Sequence, residues 1–182
     1  AYITSVGAKR VVMLVDIDPS GYTVGMADRT QAALEAKGVA VTRVPVTPGL
    51  SDYSADIATA LESSPDLIYS STYYPEGSKI AREIDSMDTD VKCFMVLANV
   101  DPAFVTEAGL PASQRCVFVG TPTAAQLPRA RSYVREYRKA FGKAPGVWGT
   151  FTYDSANVLF AAMRKAGTTD YQPLSKAVKA TK

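Results

Sequence analysis

Short apolar blocks alternate with longer amphipathic stretches along the first 122 residues, regularly enough to predict elements one by one. Residues 9–16 (KRVVMLVD) form a nearly continuous apolar run, the pattern of a parallel strand covered on both faces. Similar runs at 39–46, 66–72 (DLIYSST), 91–97 and 115–121 predict further strands. Between the first two, residues 21–37 carry helical periodicity, with Ala27 and Leu34 on one stripe and Gly38 as the stop. After the Pro48-Gly49 turn, Ser51 or Asp52 can cap a helix whose apolar positions Tyr53, Ile57, Ala60 and Leu61 share a face. Residues 75–87 predict another helix, with Ile80, Ile84 and Met87 together. Residues 101–109 predict a short one, capped by Asp101 with Pro102 in its first turn.

Strands separated by helices in this way form βαβ units with right-handed crossovers and a parallel sheet. The predicted class is α/β: a doubly wound, flavodoxin-like parallel sheet followed by extra helices. The sheet lobe occupies residues 1–122. Residues 123–182 form a helical segment, with helices at 127–141, 150–165 and 173–180 and Ala144-Pro145-Gly146 between the first two. No strand intervenes there. Helices with no sheet of their own to cover suggest part of a larger assembly.

Composition narrows the function more than the fold. With 47% hydrophobic and 21% charged residues, the 182-residue chain can build an ordinary core. A net charge of +2 without a block of like charges argues against nucleic acid as a partner. The basic stretch Arg129, Arg131, Arg135, Arg138 and Lys139 reads as a solvated helix face, interrupted by Glu136. No apolar run is long enough to span a bilayer. Histidine is absent, which removes the commonest general base and metal ligand. No nucleophile–base pair can be assembled, so no enzyme, metal or cofactor is expected.

In an open parallel sheet the ligand site lies at the carboxyl ends of the strands, near the point where the strand order reverses. The residues just past the strands are Asp16, Asp18, Ser20 and Tyr22, then Ser71, Thr72, Tyr73 and Tyr74, then Ala98, Asn99 and Asp101. Hydroxyls, amides and aromatic rings dominate this rim, which suits a small polar solute better than a phosphate. The first turn (DIDPSGYTVG) matches neither phosphate-binding glycine motif. A phosphoacceptor receiver would need an Asp after the third strand and a Lys after the fifth, and both are missing.

Three motifs carry a specific resemblance: Asp52-Tyr53-Ser54-Ala55, then Pro65-Asp66-Leu67-Ile68-Tyr69, then Tyr73-Tyr74-Pro75-Glu76 followed by Arg82. In their order and spacing they resemble the second lobe of the leucine/isoleucine/valine-binding proteins, the type I periplasmic binding proteins of ABC transporters. The resemblance runs from Lys9-Arg10 through 18–25 to 142–154 (GKAPGVWGTFTYD). It implies two α/β lobes that trap a solute between them. This chain would be the second lobe, with helices after about Thr121 that pack on a first lobe absent here. It further implies Tyr22 and Tyr73 as cleft residues; Thr72, Asn99 and Asp18 join them as binding candidates from their places just past the strands. The family's glycine after the first tyrosine is Thr23 here. The glutamate that pairs with a ligand ammonium is replaced by Ala98-Asn99, which puts an ordinary branched-chain amino acid in doubt. Asp18 or Asp101 could substitute, or the ligand could lack an amine.

The expected function is therefore a solute-binding component of an ABC importer, periplasmic or otherwise exported, capturing an amino acid or related small organic solute. Its partners would be that solute and the transporter's membrane subunits. The alternative is a ligand-sensing receptor domain of the same fold. Trp148, Phe151, Tyr153, Leu159 and Phe160 would be left without the first lobe, so the helical tail is expected to fold back or self-associate. Cys93 and Cys116 begin neighbouring predicted strands and have two readings, a disulfide or two buried thiols.

Overall fold

The computed structural model describes residues 1–17, 20–87 and 89–181. Two compact units divide the chain, residues 1–121 and 122–182. The first opens with a one-turn helix α1 (Tyr2–Ser5), followed by β1 (Arg10–Asp16), α2 (Tyr22–Glu35), β2 (Ala40–Val46), α3 (Ser54–Leu61) and β3 (Leu67–Ser71). Then come α4 (Glu76–Ser86), β4 (Lys92–Met95), α5 (Ala103–Ala108), α6 (Leu110–Arg115) and β5 (Cys116–Phe118). The strands form one five-stranded sheet in the order β2-β1-β3-β4-β5, with all pairings parallel.

Alternation along β1 explains why both faces are covered. Val12 and Leu14 join Ile57, Ile80, Ile84 and Phe104 in the core beneath α3, α4 and α5. Val11, Met13 and Val15 point the other way, toward Ile3 of α1 and Ala27 and Leu34 of α2. Side chains of a strand alternate between faces, so an unbroken apolar run is the signature of a sheet with helices on both sides. This is the doubly wound α/β class that the sequence pattern predicts.

Side-chain bonds fix several junctions. Asp52 accepts from the Ser54 N–H at 2.6 Å, and Asp101 from the Ala103 N–H at 2.8 Å, as turns just ahead of the helices; the N-cap residues are Tyr53 and Pro102 rather than the expected Asp52 and Asp101. Asp66 accepts from the backbone N–H groups of Lys9 and Arg10 at 2.7 and 2.8 Å, tying the start of β3 to the start of β1. Those bonds, from Arg10 first, hold its carboxyl below the ordinary range.

The structure corrects several element boundaries. β4 ends at Met95, and Leu97–Asn99 is a 3-10 turn rather than strand. The short helix expected at 101–109 is α5, which starts at Ala103 and stops where Gly109 adopts φ 84°, ψ 155°; a further short helix, α6, with Pro111 in its first turn, occupies residues 110–115, where none was expected. Cys93 and Cys116 are paired in register on β4 and β5, with Cα atoms 4.4 Å apart, and are joined by a disulfide.

The second unit contains α7 (Arg131–Phe141), α8 (Gly149–Ala166) and α9 (Tyr171–Lys179). Its first turns, Ala124–Gln126 and Pro128–Ala130, are 3-10, so the predicted helix at 127–141 becomes regular only at Arg131. On α7, the rings of Tyr133, Tyr137 and Phe141 follow one another in tilted contact at 5.7 and 4.5 Å, and Tyr133 also meets Tyr153 of α8 at 5.0 Å. A Cβ on Gly149 would come within 2.7 Å of the Tyr133 hydroxyl oxygen, which explains the glycine at the start of α8. These aromatic groups line an open groove of about 1230 Å³ with Trp148 and Leu127. Arg131, Arg135 and Arg138 are exposed, and Arg135 pairs with Glu136 at 3.0 Å.

Candidate functional site

The strand order reverses its winding between β1 and β3, and the residues leaving these two strands meet at their carboxyl ends. The last β1–β3 register pair is Val15↔Ser71, so the segments after Asp16 and Ser71 emerge side by side. Gly21, at φ 73°, takes the left-handed conformation that turns the chain into α2. Tyr22 follows immediately.

Hydroxyl groups lock this turn. Thr23 is fully buried, and its Oγ1 donates to the Asp16 carbonyl at 2.6 Å. Ser71 Oγ donates to the Thr23 carbonyl at 2.7 Å. The first turn of α2 is thereby bonded to the ends of both β1 and β3. Thr23, the residue at which the sequence departs from the resembling family, thus contributes its hydroxyl to holding the rim.

Tyr22 and Tyr73 face each other across the rim, with ring centroids 5.8 Å apart and planes inclined by 33°. Ser20 Oγ lies 3.2 Å from the Tyr73 hydroxyl, and the Tyr22 N–H donates to Ser20 Oγ at 3.4 Å. Tyr22 is 37% exposed and Tyr73 partly exposed. Burial, and then the neighbouring Tyr73, raise the Tyr22 phenol above its ordinary pKa. The pair offers aromatic faces together with hydroxyl donors and acceptors.

The other expected site residues are placed differently. Thr72 and Asn99 are both fully buried. Asn99 Nδ2 donates to the Thr72 carbonyl at 2.8 Å, and Thr72 Oγ1 lies 2.9 Å from Ser70 Oγ. Tyr22, Tyr73, Thr72 and Asn99 therefore converge on one corner, two on its surface and two beneath. Asp18 lies outside the described residues. Tyr69 is core, as its place within a strand suggests: it stacks on Phe94 at 5.6 Å and bonds Thr30 at 3.1 Å.

A polar clasp that sequence reasoning missed flanks this corner. The Tyr74 hydroxyl donates to Glu107 Oε1 at 2.7 Å, and Ser78 Oγ donates to Glu107 Oε2 at 3.1 Å. The bond to Glu107, followed by desolvation, pushes the Tyr74 phenol up to about 12. Tyr74 itself could be read from sequence as packing against the lobe. Its partner, 33 residues away, could not.

A family model described as periplasmic binding protein matches residues 1–182, the whole chain. The chain belongs to that family. A leucine/isoleucine/valine-binding protein, BraC3 of Rhizobium johnstonii, is 27% identical over 176 residues, covering 94% of this chain and 46% of the relative. A Leu/Ile/Val-binding protein homolog from Brucella suis is 26% identical over 163 residues, covering 89% of this chain and 43% of that protein. Among solved structures, the leucine-binding protein LivK of Thermotoga maritima superposes with a TM-score of 0.87 at 27% identity, covering 99% of this chain and 51% of that one. The chain thus spans about half the length of the periplasmic binding proteins it matches. Its sheet lobe and its helical unit both fall within the match.

Proposed function

We propose that this chain is part of the solute-binding component of an ABC importer, periplasmic or otherwise exported, and that it forms one wall of a cleft for an amino acid or related small organic solute. The observation that carries this reading is the Tyr22–Tyr73 pair, partly exposed at the switch point of a sheet whose whole length matches the periplasmic binding proteins. Tyr22 and Tyr73 would touch the solute, and Thr72 and Asn99 would support them from below. Closure of a second lobe on the bound solute supplies the mechanism, since a ligand favours the closed state by its extra contacts there. The importer's membrane subunits would then receive the solute.

The relatives named for leucine, isoleucine and valine make those amino acids the first probes. Ala98 supplies no carboxylate at the corner of the cleft, and Asn99 is buried, so nothing at these two positions pairs with an ammonium group. A carboxylic acid of similar size without an amine is therefore the comparison probe. Calorimetric titration of the longer natural protein should detect one of the two classes. Absence of binding by both would overturn the reading. This chain by itself provides one wall and should bind weakly, and micromolar affinity would contradict the two-lobed mechanism.

The second unit fits the same reading. Phe141, Trp148, Tyr153 and Phe160 are each about half exposed or more, an unusual apolar surface for a free-standing protein. The remainder of the longer protein would cover them. In its absence, self-association through these helices is the expected substitute, to be read by light scattering.

A further inference from the structure

Asn99 has a bonding pattern that a merely space-filling residue would not need. Its side chain is fully buried. Nδ2 donates to the Thr72 carbonyl at 2.8 Å and lies 3.4 Å from Thr72 Oγ1, while Oδ1 accepts no hydrogen bond from the described residues. Turning the amide over would set its oxygen against the Thr72 carbonyl oxygen, so the donor fixes the orientation. On its other side the amide lies against the α4 backbone at Gly77, where an added Cβ would collide with the Asn99 amide oxygen. A buried unpaired carbonyl is unfavourable, and such groups in folded proteins call for a specific reason.

The reason lies in what the same turn bonds next. Tyr74 N–H donates to the Ala98 carbonyl at 3.2 Å. The residues on either side of Tyr73 are therefore both tied to the turn Leu97–Asn99, Thr72 through its carbonyl and Tyr74 through its N–H. With both peptide neighbours fixed, the direction in which Tyr73 leaves the backbone is fixed too. That direction places its ring against Tyr22 and its hydroxyl near Ser20.

We propose that Asn99 is a positioning residue for the cleft: its buried amide, clamped between the Thr72 carbonyl and Gly77, sets the Tyr73 ring that faces the solute. This rests on the reading of Tyr73 as a cleft residue. It assigns Asn99 an indirect role, because a fully buried side chain reaches no solute without movement of the backbone above it.

The test uses this chain with its tyrosines replaced by 3-fluorotyrosine and followed by fluorine NMR, with Tyr73→Phe assigning the Tyr73 resonance. Asn99→Asp preserves the shape, but its carboxylate cannot donate to the Thr72 carbonyl, whereas the protonated acid can. The Tyr73 resonance should be displaced or broadened at neutral pH and should return to the wild-type position as the pH falls through the titration of the introduced acid. The Tyr69 resonance should stay put. The ionisable groups on the surrounding segments, Tyr74, Glu76, Glu107 and Asp101, are common to both proteins, so the wild-type chain gives the control pH series. An unmoved Tyr73 resonance, or a displacement that ignores pH, overturns the proposal.

If Asn99→Asp fails to fold, Asn99→Ala and Gly77→Ala are compared singly and together. Each should displace the Tyr73 resonance, and the second change should add nothing once the amide is gone. Additive displacements overturn the proposal. Failure of every amino-acid and carboxylic-acid probe to bind the longer protein would instead remove the solute reading, while a pH-reversible Tyr73 displacement would still support the positioning role of Asn99.

Discussion

The rings of Tyr22 and Tyr73 lie 5.8 Å apart and are inclined by 33°, although they are separated by fifty-one positions in the chain. They meet because β1 and β3 are hydrogen-bonded neighbours and both residues leave the sheet at its carboxyl edge. An aromatic pair so placed contributes about 0.5–1.5 kcal/mol beyond simple area burial, and each ring also offers a face to a solute. Tyr22→Ala and Tyr73→Ala should each weaken solute binding by the longer protein by roughly tenfold or more, a step of about 1.4 kcal/mol. Calorimetry gives the number. Wild-type affinity in both variants would remove the pair from the cleft.

The Cys93–Cys116 disulfide closes a loop with a sequence separation of 23 and joins two paired strands. Restricting an unfolded chain by a loop of that size stabilises the fold by roughly 3 kcal/mol in the chain-entropy account. Cys93→Ser with Cys116→Ser should lower the urea midpoint accordingly without changing the helical circular dichroism. Thiol titration of the unfolded chain should find no free thiol before reduction and two afterwards.

Tyr74 titrates at about 12 because its hydroxyl donates to Glu107. A folded-state pKa above the unfolded one means that the folded chain holds the proton more tightly. The stabilisation is therefore complete below the ordinary tyrosine value near 10 and is lost as the pH rises from there to about 12. In tyrosinate absorbance, Tyr74→Phe should delete a late-titrating step. Glu107→Gln should move that step back toward the ordinary value. No difference between these variants and the wild type would show that the bond does not persist in solution.

Gly109 sits at φ 84°, ψ 155°, a conformation essentially confined to glycine. A Cβ there would meet only the Pro111 ring at an ordinary 3.9 Å, so the cost of replacement is torsional rather than steric. Gly109→Ala should destabilise the first unit by about 1–3 kcal/mol, read as a lower denaturation midpoint with an unchanged slope. A neutral effect would mean that the α5–α6 junction relaxes freely.

Sequence pattern alone determined the sheet, because burial on both faces demands apolar residues at successive positions, and Val11 to Val15 provide them. It also determined the carboxylates of Asp52 and Asp101 at helix starts, since each bonds a backbone N–H only two residues away. The rim position of Tyr22 and Tyr73 followed from the strand ends. Tertiary structure decided what local pattern could not: that Thr72 and Asn99 lie beneath the rim, that Glu107 holds Tyr74, and that Gly77 leaves room for the Asn99 amide. The physical reason is range. Periodicity and capping act over a few residues, whereas the direction of a polar side chain at a strand end depends on donors and acceptors brought to it by elements some 20 to 50 positions away.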